Sequence, residues 1–288
     1  MNNAVSVTVL QKYQRKGLNQ RTKTRVHLTC GGIFLIAITV IGTIVGDAAI
    51  TTNFTQKNLL PHMAHPFGTD WLGRDMLSRT LKGISISIYI GLFASLVSSI
   101  IAAVLGAAAA TLGKRVDAVI TWFIDLVMGI PHLLLLILIS YALGRGTIGV
   151  VVAVAISHWP LLTRVIRGEI LQLKEANYIK IAEKLGHSKM KIVVKHMIPH
   201  VLPQFLVGLV LLFPHAILHE AALTFLGFGL PPEQPGIGII LSESMKYLSL
   251  GMWWLALFPG LVLLTTVMLF DLVGDSLRKI IDPYSVRD

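Results

Sequence analysis

The sequence predicts an all-α integral membrane protein with six transmembrane helices, and three observations carry that prediction. Hydrophobic residues make up 54% of the 288 positions and charged residues 14%, with a mean hydropathy of +0.71, a balance suited to lipid as solvent. Stretches nearly free of Asp, Glu, Lys and Arg recur, each about the 20 residues needed to cross a hydrocarbon core of roughly 30 Å with every backbone group satisfied inside the helix. Lysine and arginine outnumber the acids by 25 to 15, and they gather in alternate connections, as the positive-inside rule requires. The net charge of +10 therefore needs no nucleic acid to explain it. A single cysteine, Cys30, excludes an intramolecular disulfide framework and a thiolate zinc site.

The basic N-terminal segment 1–25 carries Lys12, Arg15, Lys16, Arg21, Lys23 and Arg25, which puts it in the cytoplasm. The first span is 26–46, read as a retained anchor because its polar lead and its length exceed those of a signal peptide. An external segment, 47–82, follows. The second span, 83–113, includes the small-residue run 106–110, which lets another helix approach closely. Lys114 and Arg115 mark a cytoplasmic turn before the third span, 118–144, which contains Asp125 and a proline, Pro131, expected to kink it. Asp125 is expected to bond a neighbouring helix. The fourth span, 146–163, has its own kinking proline, Pro160. Gly144-x-Gly146-x-x-Gly149 fits the dinucleotide pattern but lies between two spans rather than after a strand, so it reads as a turn. A basic loop, 164–195, precedes the fifth span, 196–219; a Pro- and Gly-rich external loop, 231–246, precedes the sixth, 247–270.

With Arg278, Lys279 and Arg287, 19 of the 25 basic residues then face the cytoplasm, leaving Lys57, Arg74, Arg79, Lys82, Arg145 and Lys246 outside. The domain plan is a basic segment 1–25, a six-span unit 26–276 containing loops 47–82, 167–199 and 231–246, and a cytoplasmic tail 277–288.

Within the basic loop, Tyr178, Ile181, Ala182 and Leu185 stand at i, i+3, i+4 and i+7, one apolar stripe on a helix. Gly186 breaks that helix, and a second helical stretch, 189–197, leads to Pro199. Periodicity alone fits a helix lying on the bilayer surface. The thirteen-residue offset from Gly186 to Pro199, however, resembles the cytoplasmic signature of permease subunits of binding-protein-dependent ABC importers, although Lys180, Ile181 and Ala182 replace its Glu-Ala-Ala and keep only the second alanine. The run His65-Pro66-Phe67-Gly68-Thr69-Asp70-Trp71-Leu72-Gly73-Arg74-Asp75-Met76-Leu77-Ser78-Arg79 is similar to the external signature of C-type permeases of the dipeptide, oligopeptide and nickel family. So are Phe258-Pro259-Gly260, Leu272-Val273-Gly274-Asp275-Ser276-Leu277-Arg278 and Asp282-Pro283, and the likeness spans about residues 27 to 284.

That resemblance implies a type I ABC importer permease fold in a bacterial inner membrane, with both termini cytoplasmic. It implies a second homologous permease subunit, two ABC ATPase subunits and an extracytoplasmic substrate-binding protein as partners. The stripe of Tyr178, Ile181, Ala182 and Leu185 would be a knob buried in a groove of the ATPase, with Gly186 permitting the turn that aims it. ATP and magnesium would be bound by the ATPases, with no cofactor on this chain. The chain itself lacks a P-loop: the nearest candidate, from Gly106 to Lys114, has six residues between its glycines and Arg115 after the lysine. It is therefore expected to be non-catalytic.

For the cargo, His215 and His219 lie on one helix face, a spacing that suits a shared metal ion, and Glu220 follows. The alternative is two neutral imidazoles bonded to neighbouring helices, with Glu220 paired or protonated. The His-x-x-x-His pair before the Phe-Leu-Gly-Phe-Gly-Leu run at 225–230, and Ser157-His158-Trp159, resemble the nickel-type members, which favours nickel, cobalt or a related divalent metal, free or chelated. Dipeptides or oligopeptides are the alternative cargo. His158, His215, His219 and Glu220 are the pathway candidates, and no metal-ligand set is assigned. An intramembrane metallopeptidase built on His215, His219 and Glu220 departs from both H-E-x-x-H and H-x-x-E-H order. A passive channel would leave the 164–195 loop without a purpose. Asp70, Arg74, Asp75 and Arg79 are expected either to pair among themselves or to dock the binding protein.

Overall fold

The computed structural model describes residues 20–281. Lys12, Arg15, Lys16, Arg287 and the Asp282-Pro283 pair lie outside the described residues. Among those described the chain is helical, without strands. Five helical segments are long and apolar enough to cross a membrane: Thr22–Ile44, Met76–Thr111, Gly146–Glu175, Val193–Phe225 and Trp254–Ile281. A sixth is completed if the bent pair Lys114–Gly129 and His132–Ala142 counts as one span.

In chain order the helices are α1 (Gln20–Ile44), α2 (Met76–Thr111), α3 (Lys114–Gly129), α4 (His132–Ala142), α5 (Gly146–Ser157), α6 (Trp159–Glu175), α7 (Asn177–Lys184) and α8 (Lys189–Ile192). A π-helical segment, Val193–Met197, carries α8 into α9 (Ile198–Phe225), followed by α10 (Ile237–Leu248) and α11 (Trp254–Ile281).

The third span bends further than the kink expected at Pro131. α3 and α4 meet at 96°, because Pro131 pushes Ile130 out of the helical region, to φ −90 and ψ 133. Pro160 acts more gently: α5 ends at Ser157, and α6 restarts at Trp159 with the proline in its first turn, where a missing N–H costs nothing. The loop 231–246 is also not irregular throughout, since α10 occupies most of it.

The 36-residue α2 is the hub, packing against α1, α3, α5, α6, α9, α10 and α11. Lipid is as apolar as leucine, so close packing rather than escape from water holds such helices together. Small residues therefore line α2: Ser95, Ser98, Ser99, Ala102, Gly106 and Ala109 are buried. Ser95 and Ser99 donate their hydroxyls to the carbonyls of Gly91 and Ser95, both at 2.7 Å, so neither polar group faces lipid unpaired. A Cβ on Gly106 would lie 3.0 Å from both Ile166 Cβ and the Thr163 carbonyl oxygen, so α6 crosses close to α2 here, as the run 106–110 leads one to expect.

The segment between α1 and α2 is ordered by its own motif. Asp70 is fully buried and accepts from Arg74 Nε at 2.6 Å, Arg79 at 3.0 Å and the backbone N–H groups of Leu72 and Arg74 at 2.9 Å. Asp75 caps α2 by accepting from Ser78 N–H at 2.8 Å and also meets His65 Nδ1 at 2.8 Å. Arg79 extends the network to Glu243 of α10 at 2.7 Å. Phe67 stacks on Phe258 and Trp71 on Tyr247, which seats the segment on α10 and α11. Gly68, at φ +72, passes so close to the Trp254 indole that a Cβ would lie 2.7 Å from it.

Candidate functional site

Two regions emerge. The first is α7 and its turn. Ala176 takes an extended conformation and donates its N–H to the Leu173 carbonyl, so α6 is interrupted there before α7 begins. α7 then ends in a left-handed cap: Gly186 stands at φ +79 and the His187 N–H reaches back to the Ala182 carbonyl at 3.1 Å.

The stripe is split by this geometry. Tyr178, Ile181 and Leu185 are 46%, 56% and 72% exposed, whereas Ala182 is buried at 6%. Ala182 faces inward together with Ile179, fully buried, into a core shared with Ile120 and Ile124 of α3, Ile166 and Ile170 of α6, and Ala102 and Ala109 of α2. Ala182 therefore belongs to the attachment of α7, and the sequence pattern passes over Ile179 because a single helix of eight residues buries one flank and bares another. Around this core, Arg167 of α6 holds Asp117 of α3 through both carboxylate oxygens, and Lys174 donates to the Ala110 carbonyl at the end of α2. Asp125 pairs with Arg164 of α6, the helix-to-helix bond expected of it.

The second region lies at the break of the third span. Pro131 and the α3–α4 bend open a cavity of about 540 Å³, lined by residues 127–132, Ser157, His158, Pro160, Leu161, Leu212, His215 and His219. His158 and His219 meet there, with Nε2 of the first 3.1 Å from Nδ1 of the second. A third imidazole, His132, completes the group at ring-centroid distances of 4.6 and 4.5 Å from them. The sequence reading omits His132, although its place directly after the kinking proline was the available signal. His215 lines the same cavity but its side chain is exposed; it joins the group through its carbonyl, which His219 Nδ1 meets at 2.8 Å.

Glu220 does not line this cavity. It is fully buried on another face of α9 and accepts from the Thr224 hydroxyl at 2.9 Å. Its carboxyl is thus separated from the histidine cluster, and the constellation a metallopeptidase would need is not assembled. The Gly144–Gly149 run is a turn only at its start, where Gly144, Arg145 and Gly146 all have positive φ; from Gly146 onward it is the first turn of α5.

The bent spans, the half-attached amphipathic helix and an open cavity between helices together describe a multi-span membrane protein. The model of the family "Binding-protein-dependent transport system inner membrane component" matches residues 99–285, and the chain belongs to that family. It is 35% identical over 266 residues to a putative peptide transport system permease of Brucella suis, covering 92% of this chain and 89% of the relative. It is 31% identical to the dipeptide permease DppC of Bacillus subtilis, over 87% of this chain and 79% of DppC. The oligopeptide permease OppC of the same organism is 32% identical, with 88% and 84% covered. The fold resembles a chain of the inward-facing MetNI methionine ABC transporter at a TM-score of 0.58 and 16% identity, covering 72% of this chain and 98% of that one. Members of the family serve ABC importers alongside ATPase subunits and a substrate-binding protein.

Proposed function

We propose that this chain is the permease subunit of a peptide importer, paired with a second homologous permease and two ATPases and fed by an external binding protein that delivers short peptides. The observation that carries the peptide cargo is the likeness to peptide permeases of Brucella suis and Bacillus subtilis over most of both chains. This favours the alternative cargo over nickel or cobalt. Metal import retains one specific observation in its favour, the three imidazoles at the cavity.

The mechanism runs through α7. Its bare flank, Tyr178, Ile181 and Leu185, enters a groove on an ATPase; its inner flank, Ile179 and Ala182, is cemented to α2, α3 and α6. Closure of the nucleotide-bound ATPases then displaces α7 and carries α6 with it. Because α6 begins at the His158 corner of the cavity, this movement reshapes the space at the α3–α4 bend. ATP and magnesium stay on the ATPases, and this chain binds no cofactor. In this scheme both termini lie on the ATPase side.

Uptake by the reconstituted transporter tests the cargo. Dipeptides should stimulate ATP hydrolysis and compete with labelled peptide for entry. Stimulation by nickel or cobalt salts, with none by peptides, would replace this reading with metal import.

A further inference from the structure

The geometry points to a site for a late first-row divalent metal ion within the permease itself, formed by His132, His158 and His219. One ring nitrogen from each lies within 4.8 Å of the others. Ligands sharing an ion at bonds of about 2.0–2.1 Å lie roughly 3–4 Å apart, so small ring rotations close the set. His158 Nε2 stands 3.1 Å from His219 Nδ1, which brings these two rings together at the site.

The surrounding bonds prepare these rings as ligands. His158 Nδ1 is 2.9 Å from the Val154 carbonyl, and His219 Nδ1 is 2.8 Å from the His215 carbonyl, each one helical turn back. Donation of Nδ1–H to those carbonyls assigns the tautomer and leaves each Nε2 with its lone pair, the arrangement that orients metal-binding histidines. His132 Nε2 is buried with no hydrogen-bond partner, an arrangement that costs about 1–3 kcal/mol and that coordination relieves. The three rings also come from separate places, the start of α4, the α5–α6 corner and α9, so no single helix's periodicity accounts for their meeting.

The donor set gives the chemistry. Neutral imidazoles suit nickel, cobalt, copper and zinc rather than magnesium or calcium. Among the described residues no carboxylate lines the cavity, and its volume of about 540 Å³ leaves room beside the ion. Three protein ligands with open positions make an exchangeable site rather than a closed structural one. The inference uses the permease reading only for the location of the cavity on a pathway.

Equilibrium dialysis of the tag-free, assembled transporter against Ni²⁺ should find one site per permease chain, with a visible ligand-field band when Co²⁺ is the probe. His132→Ala and His158→Ala should each weaken Ni²⁺ binding by about tenfold or more. X-ray absorption at the nickel edge of the unaltered assembly, which does not depend on any variant folding, should count three imidazoles. Wild-type affinity in both variants, or one imidazole or none at the nickel edge, overturns the site. Peptide-stimulated ATP hydrolysis without metal binding would overturn the site alone, whereas metal binding with peptides inert would overturn the cargo proposal alone.

Discussion

Replacing Asp70 by alanine should destabilise the protein more than removing the buried cation beside it. Asp70 is enclosed and accepts four hydrogen bonds, two from guanidinium groups and two from backbone N–H groups. Asp70→Ala strips all four at once and leaves Arg79, itself 1% exposed, with Glu243 as its remaining carboxylate. Breaking a buried pair in this way costs about 3–5 kcal/mol. Arg79→Met is milder: Asp70 keeps Arg74 and both amides, and Glu243, a quarter exposed, keeps Arg74 at 3.7 Å. That variant should lose about 1–2 kcal/mol. At roughly 2–3 °C per kcal/mol for a chain this long, the melting temperatures should fall by about 6–15 °C and about 2–6 °C. Differential scanning fluorimetry of the detergent-purified assembly measures both. The double variant should melt no lower than Asp70→Ala, since the two residues share one network. An Asp70→Ala protein as stable as wild type, or Arg79→Met as the more damaged of the two, would refute the reasoning.

Three further outcomes follow from named contacts. Gly106→Leu should force α6 off α2, costing about 1–3 kcal/mol and lowering the melting temperature, because Ile166 and the Thr163 carbonyl already stand 3.0 Å from where a Cβ would sit. Glu220→Gln keeps an acceptor for the Thr224 hydroxyl and should transport normally, whereas Glu220→Ala should lose about 1–3 kcal/mol in the same melting assay. Gly186→Ala places a side chain at φ +79 at a cost of about 1–2 kcal/mol; it should lower cargo-stimulated ATP hydrolysis while the amount of inserted protein stays unchanged.

The spans were legible because hydropathy and charge asymmetry are local properties: a window of apolar residues needs no partner to declare itself. Even so, composition says nothing of direction, and Pro131 turned an expected kink into a 96° corner that creates the cavity. The external motif reads as a pairing network, yet its anchor, Glu243, lies 164 residues from Arg79, beyond any short-range pattern. α10 hides among prolines and glycines because its 12 residues are too short for a span. In the candidate site, His219 was found by its i, i+4 spacing from His215 and His158 by motif likeness, while His132, lacking an i+4 partner, needed the folded corner to be seen. The split of α7 into an attached and a bare flank is likewise tertiary. Periodicity selects Tyr178, Ile181, Ala182 and Leu185 together, and only the contacts of α7 with α2, α3 and α6 divide them.

The entry of force through the bare flank of α7 is best tested by labelling. In a Cys30→Ser background, Leu185→Cys should react rapidly with a maleimide in membranes stripped of the ATPase, given that Leu185 is 72% exposed. Restoring the ATPase should slow that reaction at least about tenfold, while a cysteine replacing Leu250, another exposed position, reacts unchanged. Equal labelling of Leu185→Cys with and without the ATPase would contradict the account.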